Sequence, residues 1–185
     1  MNVYDFDETI YHGDSTRDFY FFCLKNYPNI AKFLPMQAWY GIKFGLKIMP
    51  KTQFKEKFYS FLKGVPDVEK AVEIFWQQHE KNLKKWYLEQ KKDDDLIISA
   101  SPEFLLSPIC DKLGIKVIAS RVDRLSGKTE GENCWGEEKV RRFNEAGGGK
   151  IDEFYSDSYS DTPLALLADK AFLVTGNKIT QFDKK

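Results

Sequence analysis

The chain opens with Val3-Tyr4-Asp5-Phe6-Asp7-Glu8-Thr9-Ile10, in which a short apolar run leads directly into two aspartates one residue apart. Side chains alternate along a strand, so Asp5 and Asp7 point the same way if the strand continues, or diverge around one point if it has ended. Like charges this close are unfavourable unless a cation or a shared proton offsets them. Mg²⁺ commonly takes one or two protein carboxylates together with a substrate phosphate. Alone, however, an Asp-X-Asp sequence is usually a solvated turn, so its meaning depends on the rest of the chain.

The composition indicates one domain, or a core domain with a small insertion. The chain has 185 residues, which is enough to bury a core, and it has 28 basic and 28 acidic residues, so no overall charge favours nucleic acid. Three cysteines without Cys-X-X-Cys spacing suggest a reducing compartment and no zinc site. Neither a signal-peptide pattern nor a bilayer-spanning apolar run is visible, so we expect a cytoplasmic protein.

The region from about Thr16 to Trp86 predicts about four helices and no strand, because apolar residues recur at helical spacing between Pro and Gly breaks. Its part from Phe19 to Lys55 lacks Asp and Glu but contains ten aromatic residues and six lysines, at positions 25, 32, 43, 47, 51 and 55. Residues 33–49 are apolar nearly all round, which is typical of a helix that is buried or contacts another apolar surface. Two interpretations remain open: a packed helical lobe, or a lid that grips an apolar substrate or lies in a membrane interface.

From Asp95 onward strands and helices alternate, which predicts an α/β fold with a parallel sheet and helices on both of its faces. The predicted strands are 96–99, 115–119, 152–156 and 171–174. The predicted helices are one capped by Ser101 with Pro102 in its first turn and ended by Gly114, a second over 137–146 and a third over 163–168. A loop over 121–135 can lie near a site, and the C-terminal tail reads as polar.

Polar side chains stand where the predicted strands end. Asp5 and Asp7 follow the first strand, Ser99 ends the second, and Asp157 follows the fourth. Ligands of such sheets bind beyond the carboxyl ends of the strands, near the point where the strand order reverses. Lys139 begins a helix after a long loop and can reach the same edge.

This set of groups suits phosphoryl transfer. A carboxylate can accept a phosphoryl group as an aspartyl-phosphate, and a second carboxyl can protonate the leaving oxygen and then deprotonate water. A metal ion reduces the repulsion between nucleophile and phosphate, while a hydroxyl, a helix N-terminus and a lysine bind the remaining charge.

Four segments resemble, in order, the four motifs of the haloacid dehalogenase superfamily. They are Asp5-Phe6-Asp7-Glu8-Thr9, Ile97-Ile98-Ser99-Ala100-Ser101-Pro102, Gly136-Glu137-Glu138-Lys139-Val140 and Tyr155-Ser156-Asp157-Ser158-Tyr159-Ser160-Asp161. The similarity covers the whole chain and is nearest to subfamily IB, the phosphoserine-phosphatase-like hydrolases. It implies a Rossmann-like parallel sheet core from residues 1–10 and 89–185, with an inserted α-helical cap domain from residues 11–88.

The resemblance also implies roles for the acidic residues. Asp5 would be the nucleophile and a ligand of Mg²⁺, and Asp7 the general acid and base, with its main-chain carbonyl on the metal. Asp157 would be the third protein ligand, and Asp161 would support the metal through its waters. An aspartate at position 7 is similar to the phosphatases and phosphotransferases of the superfamily rather than to its dehalogenases or phosphonatases.

The phosphate-binding groups implied by the resemblance are the Ser99 hydroxyl, the Ala100 backbone N–H and the Lys139 ammonium, which would also hold the nucleophile. Glu8 stands where a small residue is common in the superfamily, and we expect little consequence.

We therefore expect a Mg²⁺-dependent phosphomonoester hydrolase whose substrate is a small phosphorylated metabolite, phosphoserine-like, or a lipid headgroup phosphate. The alternatives are a phosphotransferase that uses an alcohol as acceptor, and a non-catalytic binding module that keeps the fold. We expect no nucleic-acid partner, and the basic aromatic segment allows contact between the cap and a membrane surface. Nothing in the sequence indicates the oligomeric state.

Overall fold

The computed structural model describes residues 1–183, with every side chain among them except that of Lys51. Its centre is a six-stranded sheet in the order β3-β2-β1-β4-β5-β6. The strands are β1 (Asn2–Tyr4), β2 (Leu96–Pro102), β3 (Lys116–Ser120), β4 (Ile151–Ser156), β5 (Ala168–Thr175) and β6 (Lys178–Gln181). Strands β1 to β5 are parallel, and β6 is antiparallel to β5. The predicted α/β fold is therefore confirmed.

The strand order reverses at β1, which lies between β2 and β4. Val3 pairs with Leu96 on one side and with Phe154 on the other. All three residues of β1 are buried, and the chain leaves the sheet at Asp5, whose backbone N–H donates to the carbonyl oxygen of Tyr155 at 2.9 Å. The Asp-X-Asp segment thus begins where the strand has ended, at the reversal point of the sheet, which is where ligands of such sheets bind.

Five α-helices lie between β1 and β2, and three more lie in the C-terminal half. They are α1 (Ser15–Asn26), α2 (Leu34–Gly45), α3 (Lys51–Tyr59), α4 (Val68–His79), α5 (Lys85–Gln90), α6 (Glu103–Leu113), α7 (Glu137–Glu145) and α8 (Thr162–Ala165). Over residues 15–90 the structure forms helices and 3₁₀ turns without a strand of the sheet, as predicted. Within residues 1–183, no helix combines the length and the apolar character needed to cross a bilayer.

An aromatic core joins the inserted helices to the sheet. The ring of Phe6 packs edge-on against Trp76 of α4, with 5.9 Å between ring centroids, and Trp76 stacks edge-on with Phe75 at 4.9 Å. The Trp76 indole N–H donates to the carbonyl oxygen of Leu105 in α6 at 2.6 Å. Burying each such ring contributes about 1.5–3 kcal/mol. One hydrophobic cluster contains residues from both segments. The division of the chain into a core of residues 1–10 and 89–185 and a cap of residues 11–88 therefore stays a prediction. Residues 184 and 185 of that core lie outside the described part.

The start of α6 corrects one prediction. β2 continues through Ser101 and Pro102, and α6 begins at Glu103 without a side-chain cap. Ser101 is therefore not the cap of this helix. Its hydroxyl instead donates to Oδ2 of Asp7, a long-range partner that local sequence pattern cannot reveal.

The C-terminal end corrects a second prediction. α8 ends at Ala165 and β5 already begins at Ala168, and the tail described as polar contains β6. All four residues of β6 are exposed, so no apolar run in the sequence predicts this strand. Pairing with β5 and the burial of Phe182, which is 2% exposed, hold it in place.

Candidate active site

A pocket of about 470 Å³ lies at the carboxyl ends of β1, β2 and β4. All seven residues singled out from the sequence line it: Asp5, Asp7, Ser99, Ala100, Lys139, Asp157 and Asp161. They come from segments far apart in the chain and meet because parallel strands end at the same edge of a sheet. Their chemical roles are not established by this proximity and stay predictions.

A buried ammonium group connects two of the carboxylates. Lys139, in the first turn of α7, is 2% exposed, and its Nζ donates to Oδ1 of Asp5 and to Oδ2 of Asp161, each at 2.7 Å. The Ser156 hydroxyl donates to the same oxygen of Asp161 at 2.8 Å. Burial alone would lower the pKa of Lys139, but the two carboxylates raise it above its usual value, so the side chain is positively charged. Burial raises the pKa of Asp5 to about 7, and the charge of Lys139 opposes this increase.

The carboxyl group of Asp7 is held in one orientation by two donors. Its Oδ1 accepts from the backbone N–H of Ser15 at 2.6 Å, and its Oδ2 accepts from the Ser101 hydroxyl. Burial, with a smaller contribution from the charge of Asp14, raises the pKa of Asp7 to about 6. A carboxyl group with a pKa close to neutrality can both donate and accept a proton at physiological pH.

The acidic end of the pocket fits a hard divalent cation. Oδ1 of Asp161 is buried and has no hydrogen-bond partner within the described residues, while Asp157 lines the same pocket. Mg²⁺ prefers such oxygen donors and keeps several waters. No group of three or more His, Cys, Asp or Glu side chains suited to a metal occurs in residues 1–183. The implied ligand set does not require such a group, because it consists of two carboxylates and one main-chain carbonyl.

A family model described as haloacid dehalogenase-like hydrolase matches residues 3–166, which include all seven pocket residues singled out from the sequence. The chain belongs to the haloacid dehalogenase-like hydrolase family. The predicted family and the prediction of an enzyme are both confirmed. A comparison with curated proteins found no match.

Solved structures share the fold of this haloacid dehalogenase-like hydrolase at low sequence identity. A protein of unknown function from Bordetella pertussis Tohama I has a TM-score of 0.75 and 22% identity, over 92% of this chain and 87% of that one. A probable phosphoserine phosphatase from Vibrio cholerae has a TM-score of 0.65 and 14% identity, over 92% and 55%. A phosphoserine phosphohydrolase-like protein from Francisella tularensis subsp. tularensis SCHU S4 has a TM-score of 0.54 and 15% identity, over 92% and 86%.

One residue that supports the site of the hydrolase was missed in the sequence. Lys84 is 1% exposed, and its Nζ donates to the carbonyl oxygens of Glu8 and Gly176. Glu8 has a φ of 55°, a left-handed conformation that is uncommon outside glycine, and the bond from Lys84 fixes its carbonyl in this turn. Lys84 therefore stabilises the turn that carries Asp7, and burial lowers its own pKa. No motif marks this lysine, because its partners are distant in sequence.

The inserted helices of the hydrolase also reach the pocket. Lys55 of α3 donates from Nζ to the carbonyl oxygen of Ala100 at 2.7 Å and to Oδ1 of Asn133 at 2.6 Å. In the sequence, Lys55 is marked only as one of six lysines of a basic segment. It connects α3 directly to the end of β2, which carries the expected phosphate-binding groups.

The remaining wall of the pocket is largely aromatic. Phe54, Phe58, Tyr59 and Trp135 line it, together with residues at the start of α1. Asp14 both lines the pocket and caps α1, accepting from the backbone N–H of Arg17 at 2.8 Å. Since Trp135 ends the loop over 121–135, that loop does reach the pocket.

Proposed function

We propose that this protein is a Mg²⁺-dependent phosphomonoester hydrolase that acts through an aspartyl-phosphate intermediate. The observation that carries the proposal is the Lys139 ammonium buried between Asp5 and Asp161, with the carboxyl of Asp7 in the same pocket. A binding module would gain nothing from a second carboxyl group whose pKa lies close to neutral pH. An enzyme therefore explains the site better than the non-catalytic alternative.

In the first step, a carboxylate oxygen of Asp5 forms a bond to phosphorus while the bond between phosphorus and the leaving oxygen breaks. The leaving oxygen takes the proton of the Asp7 carboxyl group and departs as an alcohol. The Ser99 hydroxyl, the Ala100 backbone N–H and the Lys139 ammonium would hold the phosphoryl oxygens, where negative charge develops.

In the second step, the Asp7 carboxylate takes a proton from water, whose oxygen attacks phosphorus. The bond between phosphorus and Asp5 breaks, which releases inorganic phosphate and restores both carboxyl groups to their starting states. General acid–base catalysis of this kind contributes about 10²–10⁴-fold to a rate.

For Mg²⁺, Asp5 and Asp157 would supply carboxylate oxygens, Asp7 its main-chain carbonyl, and Asp161 would hold waters of the ion. The bound ion would neutralise charge between the nucleophile and the phosphate. The attack on phosphorus and the proton transfers belong to the side chains of Asp5 and Asp7.

Metal removal tests this part of the proposal. We expect EDTA to lower p-nitrophenyl phosphate hydrolysis to background and added Mg²⁺ to restore it, because the carboxylate cannot approach an unneutralised phosphate. EDTA saturated beforehand with Mg²⁺ serves as the control. In a second measurement, Mg²⁺ should raise the thermal unfolding midpoint of the native chain but not that of Asp157→Asn. Full activity in excess EDTA would contradict a metal-dependent reaction.

The helices of residues 11–88 would act as a cap that excludes water and selects the leaving group. Phe54, Lys55, Phe58 and Tyr59, all of α3, support this because they form one wall of the pocket. The three cysteines, which are free and buried, support a cytoplasmic location.

Two substrate classes compete for this pocket. The structural likeness to phosphoserine phosphatases favours a small, phosphoserine-like ester. The aromatic wall of the pocket favours a lipid headgroup phosphate. So do the exposed apolar side chains of α2, which packs against α3 of that wall. A phosphate-release screen with phosphoserine and micellar lipid phosphates separates the two by the ratio of kcat/KM. Product analysis with added alcohols distinguishes hydrolysis from phosphotransfer.

A further inference from the structure

Helix α2 directs its apolar side to the outside of the molecule. Of its twelve residues only Gln37 is buried, so this helix packs on one side and is not buried all round. At 3.6 residues per turn, Trp39 and Ile42 lie opposite Gln37 on one stripe, which Leu46, the C-cap residue, extends. They are 57%, 58% and 65% exposed, and Ile48, just beyond the helix, is 69% exposed. These four side chains are called the α2 face below.

The opposite side of α2 is anchored by two hydrogen bonds of the buried Gln37 side chain. Oε1 of Gln37 accepts from the Tyr20 hydroxyl at 2.7 Å, and its Nε2 donates to the carbonyl oxygen of Phe58 at 2.8 Å. Phe44 stacks on Phe54 of α3, with ring centroids 4.7 Å apart and an interplanar angle of 8°. Rotating the α2 face inward would break these hydrogen bonds of Gln37, so the face stays outward in the folded protein.

The segment that contains the α2 face is positively charged. Residues 19–55 contain no Asp or Glu, and Lys43 and Lys47 lie beside the stripe. The Lys43 ammonium lies over the rings of Trp39 and Tyr40, 5.3 Å and 5.6 Å from their centroids. Apolar side chains with lysines and aromatic rings at their border match the boundary between acyl chains and anionic headgroups. A second copy of this chain would instead bring like charges together.

We propose that the α2 face docks on an anionic lipid bilayer, with the helix lying in the plane of the interface. Trp39, Ile42, Leu46 and Ile48 would enter the acyl boundary while Lys43 and Lys47 remain at the headgroups. Because Phe54 both stacks on Phe44 of α2 and lines the pocket, the docked face lies one helix away from the pocket wall. The docking does not depend on the reaction that the pocket carries out.

Vesicle sedimentation of the full chain tests this proposal without any turnover. We expect binding to vesicles of phosphatidylcholine with phosphatidylserine to exceed binding to phosphatidylcholine alone by about tenfold or more, and to weaken as salt is added. The double variant Trp39→Ser with Ile42→Ser should lose binding by about tenfold or more, and Lys43→Ala with Lys47→Ala should lose the preference for the anionic vesicles.

Leu125→Ser with Leu166→Ser is the matched control, because these leucines are 74% and 58% exposed outside the α2 face. It should bind as the native chain does, and thermal unfolding followed by circular dichroism shows that each variant is folded. Equal sedimentation with and without vesicles would overturn the proposal. So would a dimer in sedimentation velocity that disappears in Trp39→Ser with Ile42→Ser, since the face would then bind a second copy.

Discussion

Asp5→Asn is expected to lower p-nitrophenyl phosphate hydrolysis by about 10⁴-fold or more, because an amide has no anionic oxygen to attack phosphorus. Asparagine has nearly the same shape, and Lys139 keeps its bond to Asp161, so the variant should remain folded. Initial rates with saturating Mg²⁺ measure the effect. An acid quench with labelled phosphate ester should leave label on the native protein and none on Asp5→Asn.

The control for this substitution is Asp169→Asn, which makes the same chemical change at an exposed carboxylate that pairs with Lys150 at the surface. Its rate should stay within about twofold of the native rate, since surface ion pairs contribute little. Retention of more than about a tenth of the native rate by Asp5→Asn would remove the covalent mechanism.

Lys139→Met is expected to lower the free energy of unfolding by about 3–5 kcal/mol, because it leaves two buried carboxylates facing each other without a cation. The Lys139 side chain is 2% exposed and lies 2.7 Å from both Asp5 and Asp161, so water cannot take its place easily. Urea unfolding in the absence of Mg²⁺ measures the change. Turnover should fall by about 10²–10³-fold as well, because the ammonium would also stabilise the transferring phosphoryl group.

Lys150→Met is the matched control for the buried ion pair. Lys150 also contacts two carboxylates, Asp152 and Asp169, but its side chain is 72% exposed. We expect a change of at most about 1 kcal/mol, as for other exposed ion pairs. If Lys139→Met were equally mild, the buried lysine would not be a structural support of the pocket.

Much of the architecture was predictable because local pattern carried it. The alternation of strands and helices after Asp95 indicated the parallel sheet, and the apolar run before Asp5 indicated the strand that lies at the reversal point. Prediction was wrong where a partner decided the outcome. β6 exists because it pairs with β5, and Ser101 stays in β2, where its hydroxyl bonds to Asp7.

By itself, the sequence determined the order of four polar motifs at the ends of predicted elements, and with it the family. Such motifs are local, since a few adjacent residues set both the strand end and the side chains that follow it. Only the tertiary structure revealed that Lys84 holds the turn next to Asp7, that Lys55 reaches the pocket and that α2 turns its apolar face outward. The physical reason is that helical periodicity shows which residues share a face, whereas packing against distant residues decides whether that face is covered.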